Sequence, residues 1–332
     1  MCRLCDSNQG HQRFVMDNFL NLDHYNNSGY EQFNKLYDEK DLKFLRTELE
    51  KEFKLKNYPP QINLFDISNK EVINKIISAY NNPQVLEITK AFEKKFNTKV
   101  SILPEFIIQR NYHVNIKKTH GWHRDCSGEF SYPYCNKILG NNKYVFAKAA
   151  IYLQENKNYG GAIDLIPKSH VHIKKKNFFF RKIKGIPLRL LFILYSLFPK
   201  MYNFLNNSLF FSFLGGKKIK SIPGQFVLFD SRIVHRGSPI LKEEEKKEIQ
   251  FSSEYEFQAT TPKKYTKFTI YSHFGSSIAA DSYIFDRSKR SKNNNELIKW
   301  NMQKDKVKEF SPELHARIAS ILSIVNGNYQ TK

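Results

Sequence analysis

The sequence predicts an α+β, mainly β protein: an antiparallel barrel or sandwich with flanking helices at its N-terminal and C-terminal ends. Three observations carry this. Apolar residues recur at helical spacing before position 100, short strand-like segments follow from Val100, and a helical segment closes the chain. Helices and strands come in blocks without βαβ alternation, which argues for antiparallel pairing with helices packed outside.

The helical elements come first. Leu42, Leu45, Leu49 and Phe53 repeat on one helix face, and Ser68-Asn69-Lys70-Glu71 reads as a capping box ahead of Val72, Ile73, Ile76 and Ile77. A third helix is expected after Pro83. Segments that suit strands then run at 100–103, 106–114, 144–153, 162–166, 225–229, 249–257 and 268–273, punctuated by Pro and Gly. At the end of the chain, Ser311 supplies an N-cap and Pro312 a first-turn proline ahead of Leu314, Ile318 and Ile321.

Composition bounds the function classes. With 332 residues, 41% hydrophobic and 14% aromatic, the chain fills a real core. Its formal net charge of +21 favours anionic partners such as phosphate groups, acidic lipid heads or nucleic acid. Heavy use of Lys, Asn and Ile is also what an AT-rich coding bias produces, so the charge has two open explanations. The sequence carries no recognised nucleic-acid module, and nucleic acid is not the expected partner. Residues 1–14 show no apolar run after a basic start, so neither a secretory signal nor an N-terminal anchor is expected, and the location reads as cytoplasmic. Cys2 and Cys5 form a C-x-x-C pair that Cys126 and Cys135 are too widely spaced to complete as a zinc site, leaving ordinary reduced thiols.

One stretch interrupts the β region. The basic insert at 174–220 holds two apolar runs, 188–198 and 205–214. Each falls short of the roughly 18 residues of a membrane span. Bracketed by Lys174, Lys175, Lys176, Arg181, Lys182, Lys217 and Lys218, the insert reads as a substrate lid, as a peripheral element in an anionic membrane interface, or as a plain helical cover. The membrane reading implies a lipid-linked or acyl substrate.

The chemistry concentrates at Gly121-Trp122-His123-Arg124-Asp125, where an imidazole and a carboxylate stand two residues apart. On a strand, alternate side chains share a face, so His123 and Asp125 point into the same cavity. Far downstream, the Pro-Gly turn at Pro223-Gly224 opens a strand expected to deliver His235 near its end as a third ligand. Two His and one carboxylate leave adjacent positions open on a metal, the arrangement of non-haem Fe(II) oxygenases, and the absence of thiolate favours iron over zinc.

With these residues in place, the chain resembles the phytanoyl-CoA dioxygenase family over about residues 107–257. In that family an H-x-D motif precedes a strand, a glycine-rich turn and a Ser-His element, matched here by Gly160-Gly161 through Ser169-His170, and then a Gly-led strand and a distal His, matched by Gly224 to His235. The resemblance implies a double-stranded β-helix, or jelly-roll. It implies Fe(II) held by His123, Asp125 and His235, with 2-oxoglutarate as co-substrate and O2 used to hydroxylate a small-molecule substrate. The carboxylate Asp125 favours hydroxylation over halogenation. Under the resemblance His170 is a structural turn residue. The family's arginine for the distal carboxylate of 2-oxoglutarate is absent from its usual place, where Lys246 and Lys247 stand, Lys247 being preferred by alternation with Ile249 and Phe251. Arg110 and Lys148 are alternatives for that charge, and Gln109 and Asn111 resemble polar positions that contact the co-substrate. The whole chain, 1–332, then reads as a single catalytic domain, with a mainly helical part at 1–99, the β core at 100–275 carrying the insert 174–220, and a helical extension at 276–332. A rival from another class is a non-catalytic jelly-roll that binds anionic glycans or lipids.

Overall fold

The computed structural model describes residues 22–111, 124–125, 143–154, 163–170, 216–220, 222–237, 267–290 and 295–330. The expected insert therefore lies outside the described residues except near its end, as does the strand expected at 249–257.

The N-terminal part begins with α1 (Leu22–Ser28), β1 (Tyr30–Lys35), α2 (Glu39–Leu55) and β2 (Gln61–Asn63). It continues through α3 (Lys70–Ala79) and α4 (Pro83–Phe96). Leu42, Leu45, Leu49 and Phe53 are the buried face of α2, as their spacing predicts. The capping box is displaced by one residue: Asn69 is the N-cap of α3 and its side chain accepts from the Glu71 amide at 2.9 Å. The Ser68 and Asn69 amides donate instead to Glu52 on α2, each at 3.0 Å. The buried Glu52 carboxylate thus takes the acceptor role expected of the Glu71 side chain, and Asn69 takes that of Ser68. Asn82 caps α4 ahead of Pro83, and Ser311 caps the last helix by accepting from the Leu314 amide at 3.2 Å.

The β part comprises β3 (Val100–Asn111), β4 (Phe146–Tyr152), β5 (Ile163–Ile166), β6 (Lys217–Ile219), β7 (Gln225–Asp230), β8 (Val234–Gly237) and β9 (Lys267–Ser276). Three helices follow, α5 (Ser277–Arg290), α6 (Glu296–Phe310) and α7 (Pro312–Gln330). The strands form a six-stranded sheet in the order β1-β7-β4-β9-β3-β2 and a three-stranded sheet in the order β6-β5-β8. All of their pairings are antiparallel. The strands expected at 100–103 and 106–114 are one strand, with a register shift between Leu103 and Ile107.

Alternation along the strands sorts the side chains into two cores. Phe106, Ile108, Ala149, Ile151, Phe226, Leu228, Phe268 and Ile270 join the helices in the larger cluster. Their neighbours Ala150, Tyr152, Val227 and Phe229 pack with Ile163, Leu165 and Ile219 of the small sheet, and Tyr271 lies against them. The period of two along each strand therefore builds a helix-facing layer and an inter-sheet layer from the same strands. Among the described residues no helix is long and apolar enough to cross a membrane.

Two features depart from the sequence reading. Strands β1 and β2 lie within the part expected to be mainly helical, and both are edges of the six-stranded sheet. His235 is not at the end of the strand that begins after Pro223-Gly224: that strand, β7, ends at Asp230, and His235 lies on β8 in the other sheet. The chain turns at 231–233 and crosses from one sheet to the other.

Candidate metal centre between the sheets

His235 stands opposite Leu165 on β5, on the face of the small sheet that looks toward the large one. Its Nδ1 lies 3.0 Å from the Ile233 carbonyl. A carbonyl only accepts, so Nδ1 carries a proton, and in the neutral ring Nε2 presents a lone pair. That Nε2 faces Asp125, with its Oδ1 3.6 Å away. The ring of Phe229 packs against the imidazole at 5.0 Å between centroids.

A lone pair and a carboxylate oxygen at this separation repel unless a cation or a proton lies between them. Metal–N and metal–O bonds of about 2.0–2.2 Å bring two ligand atoms of one ion to about 3–4 Å of each other. The donor set therefore fits a divalent metal. His123 lies outside the described residues, and among the described residues no group of three or more His, Cys, Asp or Glu is assembled for a metal.

The surrounding contacts explain the Ser-His element. Ser169 Oγ accepts from the Val234 amide at 2.8 Å, one residue before His235. Arg124, between the two residues of the H-x-D motif, donates Nε to the Arg232 carbonyl at 2.8 Å, with Nη2 3.5 Å from the Ser169 carbonyl. His170 is buried and its Nε2 bonds the Asn26 carbonyl at 2.9 Å, as a turn residue does. The Ser169-His170 turn thus braces the segments that carry Asp125 and His235 against each other.

Lys148 is on β4, opposite Phe229 of β7 and His273 of β9. Its Nζ is 3.3 Å from Asp125 Oδ2 and 4.8 Å from the centre of the Tyr271 ring. Burial alone would push this lysine down, but Asp125 and Tyr271 more than offset it and hold its pKa above the ordinary value. Nearby His273 is pushed down to about 4 by burial, against the pull of Glu105.

The register of β9 places Lys267 opposite Asn111, Thr269 opposite Gln109 and Tyr271 opposite Ile107. Gln109, Thr269 and Tyr271 share the inter-sheet face, so Gln109 lies on the same face as the candidate centre, and Asn111 is placed by its backbone register alone. Gln109 Nε2 is 3.4 Å from Gln61 Oε1 on the neighbouring edge strand. Lys267 and Thr269 are 2% and 1% exposed, and burial pushes Lys267 down to about 7, with Asp164 pulling upward.

Arg110 points the other way. Its guanidinium forks onto Glu50 of α2, with both contacts at 3.1 Å, and stacks 4.6 Å from the Tyr58 ring. Alternation explains this, since Arg110 shares the helix-facing side with Ile108. It is therefore not the substitute for the missing arginine. Arg236, beside His235, likewise leaves the inter-sheet space and pairs with Asp164 at 3.0 Å. Lys246 and Lys247 lie outside the described residues.

Lys267, which the sequence reading left outside any strand, is the first residue of β9. The signal was present: Lys267, Thr269 and Tyr271 alternate with Phe268 and Ile270. Starting the strand at position 268 put the lysine in the preceding loop.

No protein-family model matches the sequence, and no curated protein matches it. Among solved structures, the chain aligns with HygX from Streptomyces hygroscopicus with nickel and 2-oxoglutarate bound, at 12% identity and a TM-score of 0.44, covering 77% of this chain and 85% of that one. AviO1 from Streptomyces viridochromogenes aligns at 10% identity and a TM-score of 0.43, over 77% and 93% of the two chains. EctD from S. alaskensis with 2-oxoglutarate and 5-hydroxyectoine aligns at 10% identity and 0.43, over 77% and 74%.

Proposed function

We propose that the chain is an Fe(II)- and 2-oxoglutarate-dependent oxygenase, built as a double-stranded β-helix, that oxidises a small organic substrate with O2. The observation that carries this is Nε2 of His235 facing the Asp125 carboxylate at 3.6 Å in the space between two antiparallel sheets. His123 completes the ligand set by its two-residue spacing from Asp125.

In this reading bound Fe(II) and 2-oxoglutarate supply the oxidising chemistry, the co-substrate leaving as succinate and CO2 while a substrate C–H bond is hydroxylated. The chain's own residues hold, orient and exclude. The Ile233 carbonyl fixes the His235 tautomer, and Ser169 fixes the strand on which it rides. Lys267 offers a buried charge for the distal carboxylate of the co-substrate, with the Thr269 hydroxyl two residues on along the same face. A lysine serves there as a point charge without the bidentate fork of arginine. Val227, Phe229, Ile233 and Tyr152 keep this space apolar, which strengthens each polar contact inside it. The substrate, including the anionic, acyl or lipid-linked classes that the charge and the insert suggest, is read from the sequence alone.

The test is anaerobic addition of Fe(II) and 2-oxoglutarate to metal-free protein. The visible charge-transfer band of the chelate is expected. Its absence from folded protein rejects the reading in favour of a non-catalytic binding protein for anionic glycans or lipids. Asp125→Ala is expected to lose the band and to abolish succinate formation.

A further inference from the structure

The two oxygens of Asp125 have different partners. Oδ1 faces His235 Nε2 at 3.6 Å, and Oδ2 faces Lys148 Nζ at 3.3 Å. Lys148 is not a mobile surface lysine. It rises from β4, flanked on both sides by paired strands, its ammonium rests on the Tyr271 ring, and its side chain is 21% exposed. The ammonium is therefore held on the side of the carboxylate away from the imidazole.

A carboxylate binds a metal through one oxygen or through both. With two histidines and one oxygen, three positions of an octahedral ion stay open, enough for a chelating 2-oxo acid and O2 together. With both oxygens bound, only two remain, and the chelating acid fills them. Which mode forms depends on what holds the second oxygen. We propose that Lys148 is a positioning residue that keeps Asp125 Oδ2 turned away from the metal and thereby reserves the third open position. The inference rests on the oxygenase reading above and adds a residue that the ligand motif does not contain. Lysine suits the task because its ammonium is a compact donor that competes for one oxygen without a second contact to the metal.

The experiment counts exchangeable waters on Mn(II) in the absence of any co-substrate, by water-proton relaxation, in wild type and in Lys148→Met, Lys148→Gln and Lys148→Arg. Wild type is expected to show three waters. The methionine variant, which has no donor, is expected to show two and to bind the ion more tightly, so that relaxivity per bound ion falls by about a third. The glutamine and arginine variants each keep a donor toward Oδ2 and are expected to retain three. Three waters in all four proteins overturn the proposal and leave the oxygenase reading intact. No bound Mn(II) in wild type, with no Fe(II) chelate band, overturns both.

A second measurement needs no variant. In wild type labelled with 13C-aspartate, the metal-minus-apo infrared difference is expected to show widely separated antisymmetric and symmetric carboxylate stretches, the pattern of one-oxygen ligation. A narrow separation overturns the proposal even if the methionine variant does not fold.

Discussion

At the scale of single residues, the candidate centre depends on side chains that never touch the metal. Ser169→Ala removes the acceptor of the Val234 amide, a buried donor beside His235. The expected cost is about 1–3 kcal/mol in denaturant unfolding. Metal affinity is expected to fall about 10–100-fold by calorimetric titration. Lys267 behaves in the opposite sense. Its pKa in the fold is about 7 and an unfolded lysine titrates near its ordinary value, so at neutral pH the unfolded chain binds more protons. Wild-type stability should therefore rise with pH from about 7 to about 10.5, where the cost of the buried amine disappears. Lys267→Met is expected to lack that slope, to melt at a higher temperature at pH 7, and to lose 2-oxoglutarate affinity by two orders of magnitude or more. Loss of stability in this variant at pH 7 would show that the lysine is already compensated in the free protein.

At the scale of elements, legibility followed local periodicity. Helices α2 and α4 were readable because their apolar faces and caps lie within a few residues of one another. Strand β1 was not: its register against β7 shifts between Gln32 and Lys35, which breaks the alternation by which a strand is recognised. The motif His123-x-Asp125 was visible as a residue pattern, but the strand expected to carry it is absent at Arg124 and Asp125, Asp125 lying in a turn that Arg124 ties to Arg232. The position of His235 in the second sheet was not visible, because the turn after Asp230 is held by non-local partners. One is Gly29, whose carbonyl accepts from the Asp230 amide at 2.8 Å. Gly29 has φ +85°, and an added Cβ there would lie 2.5 Å from Nδ1 of His170. Gly29→Ala should therefore cost about 1–3 kcal/mol in chemical denaturation and weaken metal binding, since it strikes the turn that braces both ligand segments. The partner of Arg110 was equally hidden, because Glu50 belongs to a helix far off in sequence.

At the scale of the whole molecule, the six-stranded sheet separates a helix-packed core from the inter-sheet space, and polar groups enter either at a cost. His273, stacked on Phe146 and close to Tyr283 of α5 where the helices close over the sheet, is held neutral with a pKa of about 4, whereas the unfolded chain takes up its proton near the ordinary histidine value. The corresponding stability is complete above about pH 6.5 and is lost as the pH falls through about 4, amounting to about 3 kcal/mol. His273→Gln should flatten that part of the stability–pH curve, read from unfolding midpoints at successive pH values. The antiparallel, helix-flanked architecture was legible from the block order of the elements. The division of the sheet's two faces between the cores required the register.

The same topology sets when the centre comes into being. Tyr30 pairs with Phe229 and Val100 with Ser276, so both outer parts of the large sheet join the beginning of the described chain to its distant later segments. Such pairing has high contact order and closes slowly. Asp125 and His235 are brought together by contacts of this kind, from Arg124 to Arg232 and from Val234 to Ser169. Metal capture is then a late event in folding: a refolding chain acquires its metal-binding signal with the slowest phase, after helical circular dichroism has recovered.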